Sequence, residues 1–542
     1  MRSRAVPAAV TLALGLAAAG LGLGYASPSP HAQPAAEIAE RAREAGDPQT
    51  GAHAGGAGST RRALAQADER ADSPAADDLA RDIESVLSDV PSVLDDARVG
   101  IAITDLHRGR VLYEREANGA FNVASNSKII TTAAALAYLG PDFRFQTALY
   151  GEEVDADGVI PGDLYLRSTG DPYLDTGDLR KLVDELVRRG VRRVDGGVVV
   201  DDRAFDDETS PPHFDEFEEP SDEHASYRPP VGAASLNFNT ITVAAAPHPE
   251  GRGAASVSID PPTAYAELGG RVATVRRGRT RVRVTPRVTD DGMHLAVSGQ
   301  VRAGRVHSQR SRIAHPAEYA GGTLLALLAE RGLDVEEPEV RRGAVPRGAE
   351  ALALHQSLPL AVIVRSLGKY SNNHVAETLL KTLGAEIVAR GRPATWDDGL
   401  AVVREYLEDE VGLEPGSYRY DNGSGLFDAS AFSPQDIVAV LATAHRDYQY
   451  GSELKSSLAV AGVDGTMRRR LSRGPGERVV RAKTGTLMNV SALSGYAAVD
   501  SREPLAFSIL MDGVPRRGRR DARDLQDDIA GAIVTYLRRH ER

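Results

Sequence analysis

From about residue 78 to its end the chain changes texture twice, and this most constrains the fold. It opens as helix, hairpin and helix. From Pro141 to about Arg347 it runs in short strands and Gly/Pro turns, with one amphipathic helix over Leu179 to Arg189. It then returns to helices and strands until the last residues. Similar textures at both ends, with a different one between, predict a mixed α/β (α+β) domain split by a long β-rich insertion.

The local signals are specific. Leu79, Ile83, Val86 and Leu87 give Asp78 to Leu94 an apolar stripe of helical period. Arg98 to Thr104 and Arg110 to Glu114 read as strands joined at His107-Arg108-Gly109. A helix is expected behind Ala124-Ser125-Asn126-Ser127-Lys128, with the small polar residues as its cap. Helical pattern recurs over Leu360 to Lys369 and His374 to Val388, broken at Tyr370-Ser371-Asn372-Asn373. Three strands, Val479 to Lys483, Ser491 to Val499 and Leu505 to Met511, precede a last helix over Asp521 to Arg539. In the middle region, the acidic stretch Asp201 to Glu223 matches no EF-hand loop and reads as a solvated loop. Arg279, Arg281 and Arg283 alternate with apolar residues, as on a half-buried strand with an arginine face.

At the start, Arg2 and Arg4 precede an apolar run from Ala5 to Gly24, then Tyr25-Ala26 and a Ser/Pro-rich break. Residues 1–26 read as a secretory signal, with an uncleaved signal-anchor as the alternative and the only membrane contact expected. Residues 27–77 are an Ala/Gly/Pro-rich spacer, expected to be disordered because it has too little apolar surface to bury. A net charge of −12 argues against nucleic acid as a partner. The absence of cysteine excludes disulfides, thiolate metal sites and a cysteine nucleophile. No His-Glu-x-x-His zinc pattern occurs, and neither metal nor cofactor is expected.

Three short patterns carry chemistry. Ser-x-x-Lys puts an amine one helical turn from a hydroxyl, within reach as its base. It occurs at Ser125/Lys128, Ser366/Lys369 and Ser452/Lys455. Ser-x-Asn occurs at Ser235/Asn237 and at Ser371/Asn373, the latter in the break between two helices. Lys483-Thr484-Gly485 occurs once, at a strand end, where its glycine leaves room for a substrate backbone.

Taken in that order, the patterns resemble the active-site set of penicillin-binding proteins and serine β-lactamases. Order and helix position then select Ser125/Lys128, Ser371/Asn373 and Lys483-Thr484-Gly485. The resemblance narrows to the class C low-molecular-mass penicillin-binding proteins, the D-alanyl-D-alanine carboxypeptidase/endopeptidases of peptidase family S13. It is carried by Ser168-Thr169-Gly170-Asp171-Pro172, Tyr227 to Asn239, Asp421 to Leu426, Ala461 to Met467, Arg481 to Leu487 and Val490 to Tyr496. Val123-Ala124 departs slightly from the Pro-Ala often found before the nucleophile.

The resemblance implies a β-lactamase/transpeptidase-like domain over 78–143 and 348–542. It also implies an inserted domain over 144–176 and 237–347, and a nested one over 177–236. Ser125 would be the nucleophile and Lys128 its base. Ser371 would relay a proton, Asn373 would hold the substrate amide, and Lys483 with Thr484, Gly485 and Thr486 would bind the terminal carboxylate. The N–H groups of Ser125 and Thr486 would form the oxyanion hole. The partners implied are peptidoglycan stem peptides ending in D-Ala-D-Ala, and β-lactams as covalent inhibitors, outside the cytoplasm in a secreted or periplasmic setting. With no Glu-x-x-Leu-Asn element to supply a deacylating glutamate, penicilloyl-enzymes are expected to persist. The competing readings are a cell-wall-binding homologue with little turnover, and a β-lactamase or esterase on the same scaffold.

Overall fold

Six strands from distant parts of the chain meet in one antiparallel sheet in the computed structural model, which describes residues 74–214, 224–500 and 503–540. They are β1 (Arg98–Asp105), β2 (Arg110–Arg115), β3 (Ala459–Val460), β4 (Val480–Thr486), β5 (Val490–Ala497) and β6 (Leu505–Asp512), in the order β2-β1-β6-β5-β4-β3. The split domain closes where β1 pairs with β6 over eight residues, from Arg98 opposite Asp512 to Asp105 opposite Leu505. The expected signal and nearly all of the spacer lie outside the described residues.

The helices are α1 (Pro74–Ser88), α2 (Ser127–Leu139), α3 (Leu360–Tyr370), α4 (Asn373–Leu383), α5 (Pro434–Arg446) and α6 (Arg519–Arg539). Alternation along the strands divides them between two layers. Ile101, Ile103, Leu493, Phe507 and Ile509 pack with Leu79 and Ile83 of α1 and with Ile529 and Ile533 of α6. Ala102, Ala492, Ala506 and Leu510 face the other layer, with α2, α3, α4 and α5. Helix α2 is buried from Ser127 to Leu136, including its lysine and threonines. It is thus a core helix rather than a surface one.

The insertion is built on a five-stranded sheet in the order Val340–Arg342, Val198–Asp201, Leu164–Ser168, Gln146–Gly151, Glu350–Gln356. The helices Thr176–Arg188 and Pro316–Glu330 share its core. Residues 240–312 form two further sheets, of three and four strands. Both boundaries of the expected nested domain at 177–236 therefore need correction. Val198–Asp201 pairs in parallel with Leu164–Ser168, and the helix beginning at Thr176 covers the same sheet. The stretch with sheets of its own is 240–312. The catalytic part also resumes later than residue 348, because Glu350–Gln356 is still paired with Gln146–Gly151.

The acidic stretch is not simply a solvated loop. Asp201 accepts from Arg203 and from the N–H of Val345, Asp202 pairs with Arg342, and Asp206 pairs with Lys381. Residues 215–223, with the rest of its carboxylates, lie outside the described residues. The arginine-faced strand is present over Arg281–Val288, with Arg281 and Arg283 exposed and Val284 buried.

Candidate active site

Between the short strand Phe121–Asn122, which pairs with Ala431 and Phe432, and α2 the chain makes a 3-10 turn over Ala124–Asn126. Ser125 sits in that turn. The expected capping role is not seen, because neither the 3-10 turn nor α2 has a side-chain bond at its N-terminal cap, and Ser127 rather than Ser125 opens the α-helix. The turn is held instead by Asn122, whose Oδ1 accepts the N–H of Ala124 at 2.8 Å. Ala124 takes a positive φ of 46°.

Lys128 reaches back one turn and donates to Ser125 Oγ at 3.0 Å, Asn373 Oδ1 at 2.8 Å and the Ser424 carbonyl at 2.6 Å. It is 1% exposed. Burial disfavours the ammonium and brings its pKa from the ordinary lysine value down to about 7, against the opposing pull of the Glu377 carboxylate.

Ser371 ends α3 in the left-handed region, at φ 59° and ψ 39°, and its N–H donates to Leu367 O at 2.8 Å. Asn372 then caps α4 by accepting the N–H of Val375. The helix break thus presents Ser371 and Asn373 side by side. Lys483 Nζ donates to Ser371 Oγ at 2.8 Å and to the Thr484 carbonyl at 2.8 Å. Its pKa is held well below the ordinary value by burial and by the charge of Lys128. Asn373 Nδ2 donates to the Tyr227 carbonyl at 2.8 Å.

Lys483-Thr484-Gly485 lies at the end of β4, just before its last residue, Thr486. Short β3 covers β4 only at Arg481 and Ala482. Past that point the edge runs beside the Ser125 turn. A Cβ on Gly485 would stand 2.8 Å from the Val123 carbonyl and 3.1 Å from Ala124 Cβ. The nucleophile turn thus leaves no room for a side chain at this position.

A cleft of about 890 Å³ opens over these groups, lined by Ser125, Ser371, Asn373 and Thr486, with Tyr227, Leu426, Phe427 and Met488 among its walls. Lys128 and Lys483 are buried beside it. Thr484 and Gly485 do not line it, so Thr486 is the one residue of the expected carboxylate-binding set that does. All five expected catalytic residues, Ser125, Lys128, Ser371, Asn373 and Lys483, come together here.

The competing copies of each motif sit elsewhere. Ser366 bonds Tyr173 OH and the Ile363 carbonyl, while Lys369 pairs with Asp464 at 2.7 Å. Ser452 is exposed on a surface helix. Ser235 closes a turn onto the Gly232 carbonyl, and Asn237 bonds Thr176.

Two features escaped sequence reasoning. Tyr227 supplies a carbonyl to Asn373 from the inserted region. Glu377, fully buried on α4, accepts the N–H groups of Gly423 at 2.9 Å and Ser424 at 2.7 Å. Its readable signal was a carboxylate among Val375, Ala376, Leu379 and Leu380, on the apolar face of a helix. Among the described residues no cluster of three or more acidic or histidine side chains could hold a metal.

Residues 79–535 match the D-Ala-D-Ala carboxypeptidase 3 (S13) family. A D-alanyl-D-alanine carboxypeptidase of Actinomadura sp. (strain R39) is 34% identical over 451 residues, 80% of this chain and 81% of that protein. D-alanyl-D-alanine carboxypeptidase DacB of Haemophilus influenzae is 25% identical over 77% of this chain and 86% of its own length. The crystal structure of penicillin binding protein 4 (dacB) from Haemophilus influenzae superposes with a TM-score of 0.68 at 21% identity, covering 84% of this chain and 99% of that one. That likeness shows the shared mixed α/β fold. With a family match spanning most of its length and a relative at 34% identity, the chain belongs to the S13 family of D-Ala-D-Ala carboxypeptidases.

Proposed function

We propose that the protein cleaves the bond between the terminal D-alanines of peptidoglycan stem peptides through an acyl-enzyme on Ser125. The observation that carries this is a buried lysine amine, brought to about 7, at 3.0 Å from a serine hydroxyl that lines the cleft. A neutral Lys128 takes the Ser125 proton as Oγ bonds to the scissile carbonyl carbon. The N–H groups of Ser125 and Thr486 hold the oxyanion.

The substrate carboxylate is held by the Thr486 hydroxyl and the charge of Lys483, with Thr484 and Gly485 shaping that strand. An anion beside Lys483 favours its protonated form, which in turn favours a neutral Lys128. Asn373 orients the substrate amide. Ser371, bonded to Lys483, relays a proton to the departing D-Ala amine, and water then hydrolyses the acyl-enzyme. The reaction needs no cofactor or metal. β-Lactams enter the same first step and remain attached, as expected where a penicillin-binding relative forms a complex with a β-lactam. Because the substrate is cell wall, the site of action is extracytoplasmic, in the secreted or periplasmic space. Activity on cross-links belongs to the same reading, since they contain the same D-Ala carbonyl.

Mass spectrometry of protein treated with fluorescent penicillin, and of the products from a D-Ala-D-Ala peptide, tests this directly. Wild type should gain one adduct on Ser125 and release D-Ala. Ser125→Ala should do neither, while Ser366→Ala and Ser452→Ala should label like wild type. A folded wild type that neither labels nor releases D-Ala would leave the binding-protein reading. Fast loss of the label without D-Ala release would make it a β-lactamase.

A further inference from the structure

One buried carboxylate beside the catalytic pair has no part in the motifs. Glu377 lies one turn after Asn373 on α4, so both side chains leave the same face of the helix. Its two oxygens are divided between consecutive backbone donors, Oε2 to Gly423 and Oε1 to Ser424. The carbonyl of that same Ser424 is the 2.6 Å acceptor for Lys128 Nζ. Helix α4 thus reaches the lysine by two routes, directly through Asn373 Oδ1 and indirectly through Glu377 and the 423–424 backbone.

The loop is built tightly around this arrangement. Asn422 Oδ1 accepts the N–H of Gly425 at 2.8 Å, and a Cβ on Gly425 would stand 2.0 Å from the Ala124 carbonyl, next to the nucleophile. Burial pushes the Glu377 carboxyl above its ordinary value, and the N–H groups of Gly423 and Ser424 together with the charge of Lys128 pull it back towards the ionised, accepting form.

We infer that Glu377 is a positioning residue and internal counter-charge for Lys128, fixing the Ser424 carbonyl on the amine and stabilising the ammonium formed as Ser125 attacks. This rests on the assignment of Lys128 as the base for Ser125. During attack the Oγ–H bond breaks, the proton moves to Nζ, and Oγ bonds to the carbonyl carbon. A positive charge then appears in a site whose other nearby cationic group is Lys483. Little solvent reaches it, so a fixed negative group is the means of holding that charge. The ionisable groups that act on this pair are Lys483, through its charge on Lys128, and Tyr420, whose hydroxyl bonds Thr131 and which feels the charge of Glu377.

The test is the pH profile of acylation by fluorescent penicillin for wild type, Glu377→Gln and Glu377→Asp, each checked for folding by circular dichroism. Without its counter-charge, the Lys128 ammonium loses stability, so in Glu377→Gln the acid limb should move to lower pH. The alkaline plateau should nevertheless fall by at least about tenfold, because the ammonium formed in the transition state is no longer stabilised. Glu377→Asp, with the charge retained but withdrawn by one methylene, should lie between the two. A merely structural role would lower the plateau and leave the limb where it is. An unmoved limb in folded Glu377→Gln overturns the inference. If that variant does not fold, Glu377→Asp decides by the same criterion. A wild type whose acylation shows no acid limb would instead overturn the assignment of Lys128 as base, and this inference with it.

Discussion

Lys128 must be neutral to accept a proton and is charged once it has done so, which ties the rate to pH. With its pKa brought to about 7 by burial, the neutral fraction grows as pH rises through that value. Acylation should therefore increase about tenfold per unit below the midpoint and level off above it, as read from stopped-flow or gel kinetics with fluorescent penicillin. Lys128→Arg retains the charge at every accessible pH and should lose roughly 10²- to 10⁴-fold across the range, without an acid limb. The residues of this chemistry were legible because their spacing is local. Ser125 and Lys128 are three apart, and Ser371 and Asn373 are two apart at a visible helix break. Glu377 and Tyr227 were not legible in the same way, because each acts through a contact remote in sequence, Glu377 on the N–H groups of Gly423 and Ser424 and Tyr227 through its own carbonyl on the Asn373 side chain.

At the level of elements, the site is an encounter between a 3-10 turn and the length of β4 whose outer edge β3 leaves uncovered. The contact is close enough that Gly485 has no room for a methyl group against the Val123 carbonyl. Gly485→Ala should force the Ser125 turn off the strand and slow acylation by at least about tenfold, since misplacement of a reacting atom by about 1 Å costs up to about 10². Melting temperature and acylation should fall together in this variant. An unchanged acylation rate would mean that the turn does not depend on the strand edge. The sequence showed the strand and the glycine but not that the Ser125 turn passes against it. Which backbone passes a glycine is decided by tertiary packing, and here it is the chain's own.

On the scale of the whole molecule, the division into a split domain and an insertion was readable from texture. The partners of Val198–Asp201 and Glu350–Gln356 were not, because strand pairing is non-local and a buried apolar strand carries no mark of its neighbour. The insertion is also fastened to the catalytic helices. Lys381 of α4, with a side chain 0% exposed, donates to Asp206 at 2.5 Å and to the Glu208 carbonyl at 2.7 Å, and lies 4.6 Å from the centre of the Trp396 ring. This latch holds the segment that leads to Tyr227 against the helix that carries Asn373. Asp206→Asn leaves the buried ammonium without its counter-charge. It should cost roughly 2–3 kcal/mol by thermal or urea unfolding, less than for a wholly buried pair because the Asp206 side chain is 27% exposed. Lys381→Met in the same chain should recover much of that loss, since it removes the unpaired charge and retains the packing on Trp396. Additive losses in the double variant would show that the two side chains stabilise the fold independently, and that the latch is not a coupled pair.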